Sequence, residues 1–390
     1  MKKLPFFERS FVKKLTNVHL LRIAEALSEQ VYQEPEPGLL TGLAGQSIFL
    51  YHYGQTTGSD RYENLGFLAI QRVLEMIDNG FSWPSYAAGL AGIRYALKYL
   101  EQRGFLSTDY SNALDGMKPL LEQYAADRLR EGDFDFLHGA LGILMYPDQS
   151  PGKEPEIVLD DLLRQAIIPA ENQLAWFSTN PKTGVQEINL GLAHGVPSIL
   201  LLLSRYKSAE ELEPIVNFLL DNRLTNSPNG SLFPHRLIKG EPDKPGRLAW
   251  CYGDLGVAMA LWLTGAHAGR ADWQAEASAI MRKATKRTSL EPNRLFDTCL
   301  CHGTAGLALI FYKMGELTGH QELSDAAIRW VQATFDFGGR ESFAGGFSYF
   351  TTGDRYVSNY GLLEGIAGTG LVLLSLLEPD NLGWESALMI

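Results

Sequence analysis

The chain has 390 residues, of which 45% are hydrophobic and 20% are charged, and its formal net charge is -11 at pH 7. An acidic balance argues against nucleic acid as a partner, because phosphates are neutralised by clustered lysine and arginine side chains. The apolar runs are far shorter than the roughly 20 residues that cross a bilayer, so the chain is not expected to span a membrane.

The N-terminal residues and the cysteine content both predict a cytoplasmic protein. Pro5, Glu8 and Arg9 interrupt the segment in which a signal peptide would have its apolar run. The chain contains three cysteines, an odd number and too few for a disulfide scaffold of this size. A reducing compartment, with thiolate or metal chemistry, fits this content better.

One phrase, Gly-x-x-Gly followed by an apolar run, recurs along the whole chain. Its first glycines are Gly42, Gly89, Gly139, Gly195, Gly253, Gly303 and Gly365. Successive copies lie 47 to 62 residues apart, by subtraction of those positions. The fourth copy is imperfect, with Ser198 in place of the second glycine. A period of this length accommodates two helices and two connections.

Each repeat is predicted to contain two kinds of helix. The segment after each phrase is apolar nearly all round, as in residues 199–203, which indicates a buried helix. The segment between phrases is amphipathic, as in residues 210–221, which indicates an outer helix. The stretches 147–155 and 226–245, rich in proline, glycine and asparagine, are predicted to be rim loops rather than domain linkers.

We therefore predict an all-α fold, an α/α toroid (double barrel) of seven helical-hairpin repeats. Seven inner helices would lie inside seven outer helices, in a single domain over residues 1–390. An open solenoid is the structural alternative. The regular period and the lack of polar capping repeats favour closure.

The reactive residues occupy equivalent positions of different repeats, counted back from the first glycine of each phrase. One residue before the first glycine stand three of the eight histidines, His138, His194 and His302. Two residues before it stand Cys251 and Cys301. Equivalent positions in a closed ring of repeats lie at one level, so these groups are expected together at one end of the barrel.

Cys251, Cys301 and His302 offer two thiolates and one imidazole. Three protein ligands with one open position are typical of catalytic zinc sites, and sulfur with imidazole suits zinc. Helix N-termini also favour thiolates. The frame thus favours a metal site over simple burial of the two cysteines, whereas Cys299 is interpreted as a small buried residue.

Four other residues are candidates for catalysis, each with a structural alternative. His194 shares the level of His302, which favours a functional histidine over one bonded to a carbonyl. Asp135 precedes its glycine by four residues and could instead cap a helix. Arg247 could be a solvated loop charge, and Tyr252 a core residue.

These motifs resemble the lanthionine synthetase C-like family, the lanthipeptide cyclases. The most specific parts are RLAWCYG at 247–253 and CHG at 301–303, supported by GLAHG at 191–195 and by Asp135 before Gly139. The resemblance covers essentially the whole chain, through all seven phrases. One departure is His138, which stands where an acidic residue is expected in this family.

The resemblance implies a zinc-dependent reaction and assigns roles to particular residues. The implied zinc ligands are Cys251, Cys301 and His302. The implied acid–base and supporting residues are Asp135, His194, Arg247 and Tyr252. Cysteine thiols of a dehydrated precursor peptide would add to dehydroalanine or dehydrobutyrine and form lanthionine thioether rings. His194 would protonate the resulting enolate, oriented by Asp135, and Arg247 and Tyr252 would stabilise it.

The predicted partners are the dehydrated precursor peptide, a separate dehydratase and an exporter. A dehydratase is expected because no segment before the repeats is large enough for that chemistry. Three alternative functions stay open: an enzyme that adds glutathione or another thiol to dehydroamino acids, another toroidal enzyme such as a glycosidase or prenyltransferase, and a non-catalytic peptide-binding toroid. A glycosidase needs paired carboxylates, and a prenyltransferase needs a diphosphate site, for which the sequence offers little.

Overall fold

The computed structural model describes residues 10–107, 110, 112–144, 154–179, 183–351, 353–378 and 382–390. Contacts divide the chain into two compact units. The first comprises Met1–Lys118 and Leu295–Leu388, with Ile390, and the second comprises Pro119–Arg294, with Met389. The single domain stays a prediction. Residues 1–9, which argue against a signal peptide, and most of the rim loop predicted at 147–155 lie outside the described residues.

The described residues form fourteen α-helices and five short strands. The helices are α1 (Ser10–Gln30), α2 (Leu43–Thr57), α3 (Asp60–Asp78), α4 (Leu90–Gln102), α5 (Lys118–Arg130), α6 (Ala140–Ile143), α7 (Glu154–Arg164), α8 (Val196–Leu203), α9 (Ala209–Asp221), α10 (Asp254–Ala268), α11 (Ala271–Ala284), α12 (Thr304–Thr318), α13 (Gln321–Phe337) and α14 (Ile366–Leu377). Short 3-10 helices lie at Asn112–Met117, Glu291–Asn293, Ala344–Gly346 and Trp384–Leu388.

The even-numbered helices follow the glycine phrases, and the odd-numbered helices lie between them. Each even-numbered helix has the first glycine of its phrase as its N-cap residue. Every residue of α8 and of α14 is buried. The odd-numbered helices are half exposed; α9, for example, buries Leu212, Ile215 and Phe218 on one face. Within the described ranges, this alternation confirms seven buried helices and seven amphipathic ones.

The N-terminus of α9 shows how local sequence sets a helix boundary. The Ser208 hydroxyl accepts a hydrogen bond from the Glu211 main-chain N–H, and the Glu211 carboxylate accepts one from the Ser208 N–H. This capping box satisfies two donors that the first helical turn leaves without partners. The helix α9 therefore begins at Ala209, one residue before the amphipathic segment 210–221 that the sequence predicts.

The five strands lie in the connections between helices. β1 (Ser178–Thr179), β2 (Gln186–Asn189) and β3 (Arg236–Leu237) form one antiparallel sheet, and β4 (Tyr349–Phe350) pairs with β5 (Tyr356–Val357). β3 falls inside the rim loop predicted at 226–245. Strands of two residues are too short to show an alternating pattern, and so the sequence does not reveal them.

The first and last buried helices are neighbours within the first unit. α14 packs against α2 and also against α12, and α2 packs against α4. An open solenoid would keep its first and last repeats apart, whereas α2 and α14 of this unit are in contact. None of the helices in the described ranges is both long and apolar enough to cross a membrane.

Backbone hydrogen bonds join equivalent positions of neighbouring repeats, including the last and the first. Two residues before the glycine, the N–H of Cys301 donates to the carbonyl of Leu363 at 3.1 Å, and that of Leu363 donates to Leu40 at 2.9 Å. In the second unit, the N–H of Ala193 donates to the carbonyl of Cys251 at 3.4 Å. Within each unit, the repeat frame read from the sequence thus corresponds to a physical level.

The C-terminal 3-10 helix, Trp384–Leu388, is held by buried polar contacts. The indole N–H of Trp384 donates to the Ser375 hydroxyl of α14 at 2.9 Å. Lys313 of α12 forms an ion pair with Glu385. Their side chains are only 13% and 3% exposed, respectively, so each charge depends on a fixed partner for its stability.

Candidate active site

Each buried helix is preceded by a tight loop, and four of these loops contain the same turn. Six residues before the helix-capping glycine stand Asp133, Asn189, Asp297 and Asn359. The side-chain Oδ1 of each accepts a hydrogen bond from the main-chain N–H two residues later, at 2.9 to 3.1 Å. Aspartate and asparagine favour such turns because their side chains mimic a backbone carbonyl. The spacing is present in the sequence, but counting repeats does not reveal it.

A second position in these loops explains Cys299. Four residues before the glycine, the side chains of Ser85, Asp135 and Cys299 each accept a hydrogen bond from the N–H of the residue preceding that glycine. Cys299 is fully buried, and burial raises the pKa of its thiol well above the usual value. A protonated thiol therefore does here what a serine hydroxyl does in another repeat.

Asp135 is bonded to His194, although 59 residues separate them. One carboxylate oxygen of Asp135 accepts hydrogen bonds from the N–H groups of Leu137 and His138, at 2.7 and 2.8 Å. The other oxygen lies 2.5 Å from Nδ1 of His194. Gly139, rather than Asp135, is the N-cap of α6. The carboxylate thus orients the imidazole, a contact that a capping residue would not make.

The electrostatics of this pair favour a protonated His194 beside an ionised Asp135. Burial by itself lowers the pKa of His194 and raises that of Asp135, because it penalises the charged forms. Their mutual hydrogen bond and charge attraction outweigh burial, so the pKa of His194 is raised and that of Asp135 is lowered. A negative charge on Cys251, in its thiolate form, would raise the pKa of His194 further. The imidazole therefore holds a proton more tightly than an isolated histidine side chain does.

Tyr252 completes a cluster around His194. Its ring centroid lies 5.6 Å from that of His194, and its hydroxyl accepts a hydrogen bond of 3.4 Å from Asn189. Burial raises the pKa of Tyr252 to about 12, so the phenol stays protonated and can donate a hydrogen bond. Asn189 is a site residue that the sequence patterns did not single out.

Gly191 leaves the space in which Tyr252 lies. A Cβ atom on Gly191 would lie 2.6 Å from Cδ1 of Tyr252 and 2.5 Å from the carbonyl oxygen of Cys251. We expect Gly191→Ala to displace both residues and to lower the free energy of unfolding by about 1–3 kcal/mol, as overpacking does. Urea unfolding measures the change. Gly116→Ala is the control, because a Cβ there meets nothing within 4 Å; equal stability of the two variants would contradict the steric role.

Arg247 contacts the backbone of its own unit. Its Nη2 donates to the carbonyl of Arg294 at 2.5 Å. Gly253, the N-cap of α10, has φ of 86°, and a Cβ there would lie 2.2 Å from the carbonyl oxygen of Arg247. Only glycine satisfies both conditions, so the loop conformation depends on it. The role of Arg247 toward a substrate stays a prediction.

The second unit brings four predicted site residues together. Cys251 is 4% exposed, and its carbonyl accepts a hydrogen bond from the N–H of Ala193, the residue before His194. His194 in turn contacts Asp135 and Tyr252. A thiol, an imidazole, a carboxylate and a phenol therefore converge in one region of this unit. This combination suits proton transfer next to a metal ligand or nucleophile.

The first unit holds Cys301 and His302 in the loop before α12. Cys301 is 6% exposed, and His302 is partly exposed. The carboxylate of Glu364 lies 3.9 Å from Nδ1 of His302. A negative charge next to an imidazole stabilises positive charge, whether that of a proton or of a bound cation.

Asp297 and Cys299 also lie near His302, but their atoms are already engaged. One ligand atom of each of the three residues lies within 4.8 Å of the others. However, the two oxygens of Asp297 accept hydrogen bonds from the N–H groups of Cys299 and Phe350, both at 2.9 Å. The thiol of Cys299 accepts one from the N–H of His302 at 3.4 Å. We interpret Asp297 and Cys299 as residues that shape the loop.

The sequence matches a known protein family over most of its length. Residues 34–389 match the family model described as lanthionine synthetase C-like protein. The chain belongs to the lanthionine synthetase C-like family. The matched region contains all seven phrases.

Two named proteins are similar to this chain over most of their length. The nisin biosynthesis protein NisC of Lactococcus lactis subsp. lactis is 24% identical over 397 aligned residues, which cover 90% of this chain and 88% of that protein. The structure of nisin cyclase superposes with a TM-score of 0.75 at 19% identity, covering 95% of this chain and 96% of that one. The likeness confirms the predicted fold class, all-α of the α/α-toroid type.

His138 stands at the same repeat position as His194 but has different surroundings. It is exposed, and its main-chain carbonyl accepts a hydrogen bond of 3.2 Å from the hydroxyl of Tyr124. The side chain of His194, at the equivalent repeat position, is instead 27% exposed and bonded to Asp135. Position in the repeat alone therefore does not make a histidine part of the cluster.

Proposed function

We propose that this chain is a zinc-dependent peptide cyclase that forms lanthionine thioether rings. Its substrate would be a precursor peptide with cysteines and dehydrated serines or threonines. The observation that carries the proposal is the Asp135–His194 pair next to Tyr252 and Cys251. This pair lies in a chain that belongs to the lanthionine synthetase C-like family and has the fold of nisin cyclase. The names of the two relatives, which refer to nisin biosynthesis and cyclisation, support this substrate class.

We propose Cys251, Cys301 and His302 as the zinc ligands. Thiolate and imidazole donors suit zinc, and three ligands leave one position open. Both cysteines are buried and stand two residues before a helix-capping glycine, where the helix N-terminus favours a thiolate. A zinc ion held there would deprotonate and position the cysteine thiol of the substrate.

The residues of the second unit would carry out the proton transfer. Attack of the substrate thiolate on the β-carbon forms the carbon–sulfur bond and shifts the π electrons of the double bond toward the carbonyl oxygen. The α-carbon must then accept a proton. His194 can supply it from Nε2, because Asp135 holds Nδ1 and raises the pKa of the ring. The protonated phenol of Tyr252 is suited to donate to the enolate oxygen.

Metal content of the purified protein tests the ligand assignment. We expect about one zinc ion per chain by mass spectrometry, and its loss in Cys301→Ala. Cys299→Ser is the matched control, since serine already provides the same loop contact at Ser85, and it should retain zinc. Wild-type protein without zinc would contradict the proposal, and loss of zinc in Cys299→Ser would make Cys299 a ligand.

The products from a synthetic dehydrated peptide distinguish a cyclase from a general thiol-adding enzyme. We expect loss of the free cysteine thiol without a change in peptide mass, because an intramolecular addition only rearranges bonds. Free-thiol alkylation followed by mass spectrometry measures it. In a parallel reaction with a cysteine-free peptide and glutathione, faster adduct formation than ring closure would favour the alternative enzyme.

The partners and the location of the enzyme follow from the substrate. We propose that a separate dehydratase modifies the precursor, that an exporter removes the product, and that cyclisation takes place in the cytoplasm. The purified chain should leave the serine and threonine residues of an unmodified precursor intact. Loss of water from such a peptide, seen as a mass decrease, would contradict the proposal that a separate enzyme dehydrates the precursor.

A further inference from the structure

A buried ion pair lies beneath the loop that contains Cys251. Arg287 and Asp254 are 2% and 0% exposed, and Nη1 of Arg287 donates to Oδ2 of Asp254 at 2.9 Å. Burial raises the pKa of Asp254 and lowers that of Arg287, because it disfavours both charges. A pair in such surroundings persists only if hydrogen bonds satisfy its remaining atoms.

The remaining polar atoms of this pair are satisfied by hydrogen bonds to other segments of the second unit. The other carboxylate oxygen of Asp254 accepts from the Ser231 hydroxyl and from the N–H groups of Leu232 and Phe233, at 2.9 to 3.2 Å. Nε of Arg287 donates to Oδ1 of Asn293 at 2.9 Å. The pair therefore anchors a loop on one side and a 3-10 helix on the other.

The same guanidinium holds both ends of the segment that contains the site residues. Nη2 of Arg287 donates to the carbonyl of Gly246 at 3.0 Å, while Nη1 holds Asp254, the first residue of α10. The intervening residues 247–253 include Arg247, Cys251 and Tyr252. The planar fork of arginine can bond two acceptors in fixed directions, whereas the ammonium group of lysine cannot reproduce that geometry.

We propose that Arg287 is a positioning residue that fixes the 246–254 segment and so sets the direction in which Cys251 presents its sulfur to zinc. The inference rests on the proposed function, because it assumes that Cys251 is a zinc ligand. Arg287 would thus change the zinc affinity without contacting the metal. Residues that orient metal ligands typically change affinity by about 10–100-fold when they are replaced.

Arg287→Lys tests this role while keeping the positive charge next to Asp254. We expect the dissociation constant for zinc, measured by chelator competition, to rise by about 10–100-fold. Far-ultraviolet circular dichroism and the urea midpoint of the metal-free protein report whether the variant stays folded. A purely structural role would lower that midpoint but leave the zinc affinity of the folded protein unchanged.

Arg270→Lys is the matched control in the same unit. Arg270 also uses its fork on two partners, Glu213 and Asp272, which lie on the outer-helix side of the repeats, in α9 and α11. The Arg270→Lys variant should bind zinc with the same affinity as the wild type. A tenfold loss in Arg270→Lys as well would show that any arginine replacement weakens the site and would overturn the assignment.

Asn229→Ala provides a milder second test that leaves the ion pair in place. Nδ2 of Asn229 is the other donor to the carbonyl of Gly246, at 3.1 Å. The variant also loses the contacts of Asn229 with Ser227, Ser231 and Pro292. The loosened Gly246 carbonyl should weaken zinc binding about 2–10-fold, in the same direction as Arg287→Lys. Zinc affinity within twofold of the wild type in both folded variants would overturn the positioning role alone. Wild-type protein that binds no zinc would overturn the proposed function as well.

Discussion

Replacement of His194 with alanine is expected to lower the rate of ring formation by about 10²–10⁴-fold, the range for loss of a general acid. The geometry and proton affinity of this imidazole suit protonation of the enolate at its α-carbon, because Asp135 holds Nδ1 and raises the pKa of the ring. Zinc content should not change. The rate should therefore fall while the metal site stays intact.

The matched control for this prediction is His138→Ala. His138 occupies the same position of its repeat but is exposed. Time courses with the synthetic dehydrated peptide, followed by thiol alkylation and mass spectrometry, should show a rate within about threefold of the wild type for this variant. Equal losses in both variants, or a His194→Ala enzyme as fast as the wild type, would remove His194 from the mechanism.

Asp135→Asn should change the pH dependence as well as the rate. His194 must be protonated to act as an acid, so activity falls as pH rises through its pKa. In the wild type the carboxylate of Asp135 raises that pKa. Without the charge the pKa falls, and the alkaline limb of the kcat profile should move to lower pH. An alkaline limb at unchanged pH would mean that another group supplies the proton.

Replacement of Glu385 with glutamine is expected to lower the free energy of unfolding by about 1–3 kcal/mol, because it removes the carboxylate that pairs with a buried ammonium group. Glu385 is 3% exposed and pairs with Lys313, which is 13% exposed. The pair joins the C-terminal 3-10 helix to α12, so the loss should also loosen that segment. Urea denaturation of the metal-free protein measures the effect.

Two controls identify the buried charge as the cause. Asp161→Asn removes a carboxylate whose pair with Arg164 is 56% and 69% exposed, and it should change stability little, since such pairs are worth little. The double variant Lys313→Met with Glu385→Leu removes both charges and should recover most of the stability lost in Glu385→Gln. A single variant as stable as the wild type would show that Lys313 does not depend on Glu385.

Most of the helical framework could be predicted because its signals are local. A helix buried all round requires a continuous apolar run, and close packing before its first turn requires glycine. Gly42 and Gly365, for example, each cap the helix that the sequence places after them. The short strands escaped prediction, since two residues such as Arg236–Leu237 carry no periodicity.

The sequence by itself determined the seven repeats, the start of each buried helix and the residues that stand at one repeat level. These are properties of residues close together in the chain, where periodicity and turn chemistry act directly. The sequence did not determine what each residue at that repeat position does. His138 and His194 have the same repeat position but different surroundings.

Only the tertiary structure decided which side chains act together. It paired Asp135 with His194, gave Cys299 the loop contact made elsewhere by serine, and placed Arg287 across both ends of the 246–254 segment. These contacts join residues that other repeats or loops separate. Their existence depends on how distant backbones pack, because a hydrogen bond needs its two atoms within about 3 Å in a favourable direction, and no pattern in the sequence specifies that distance.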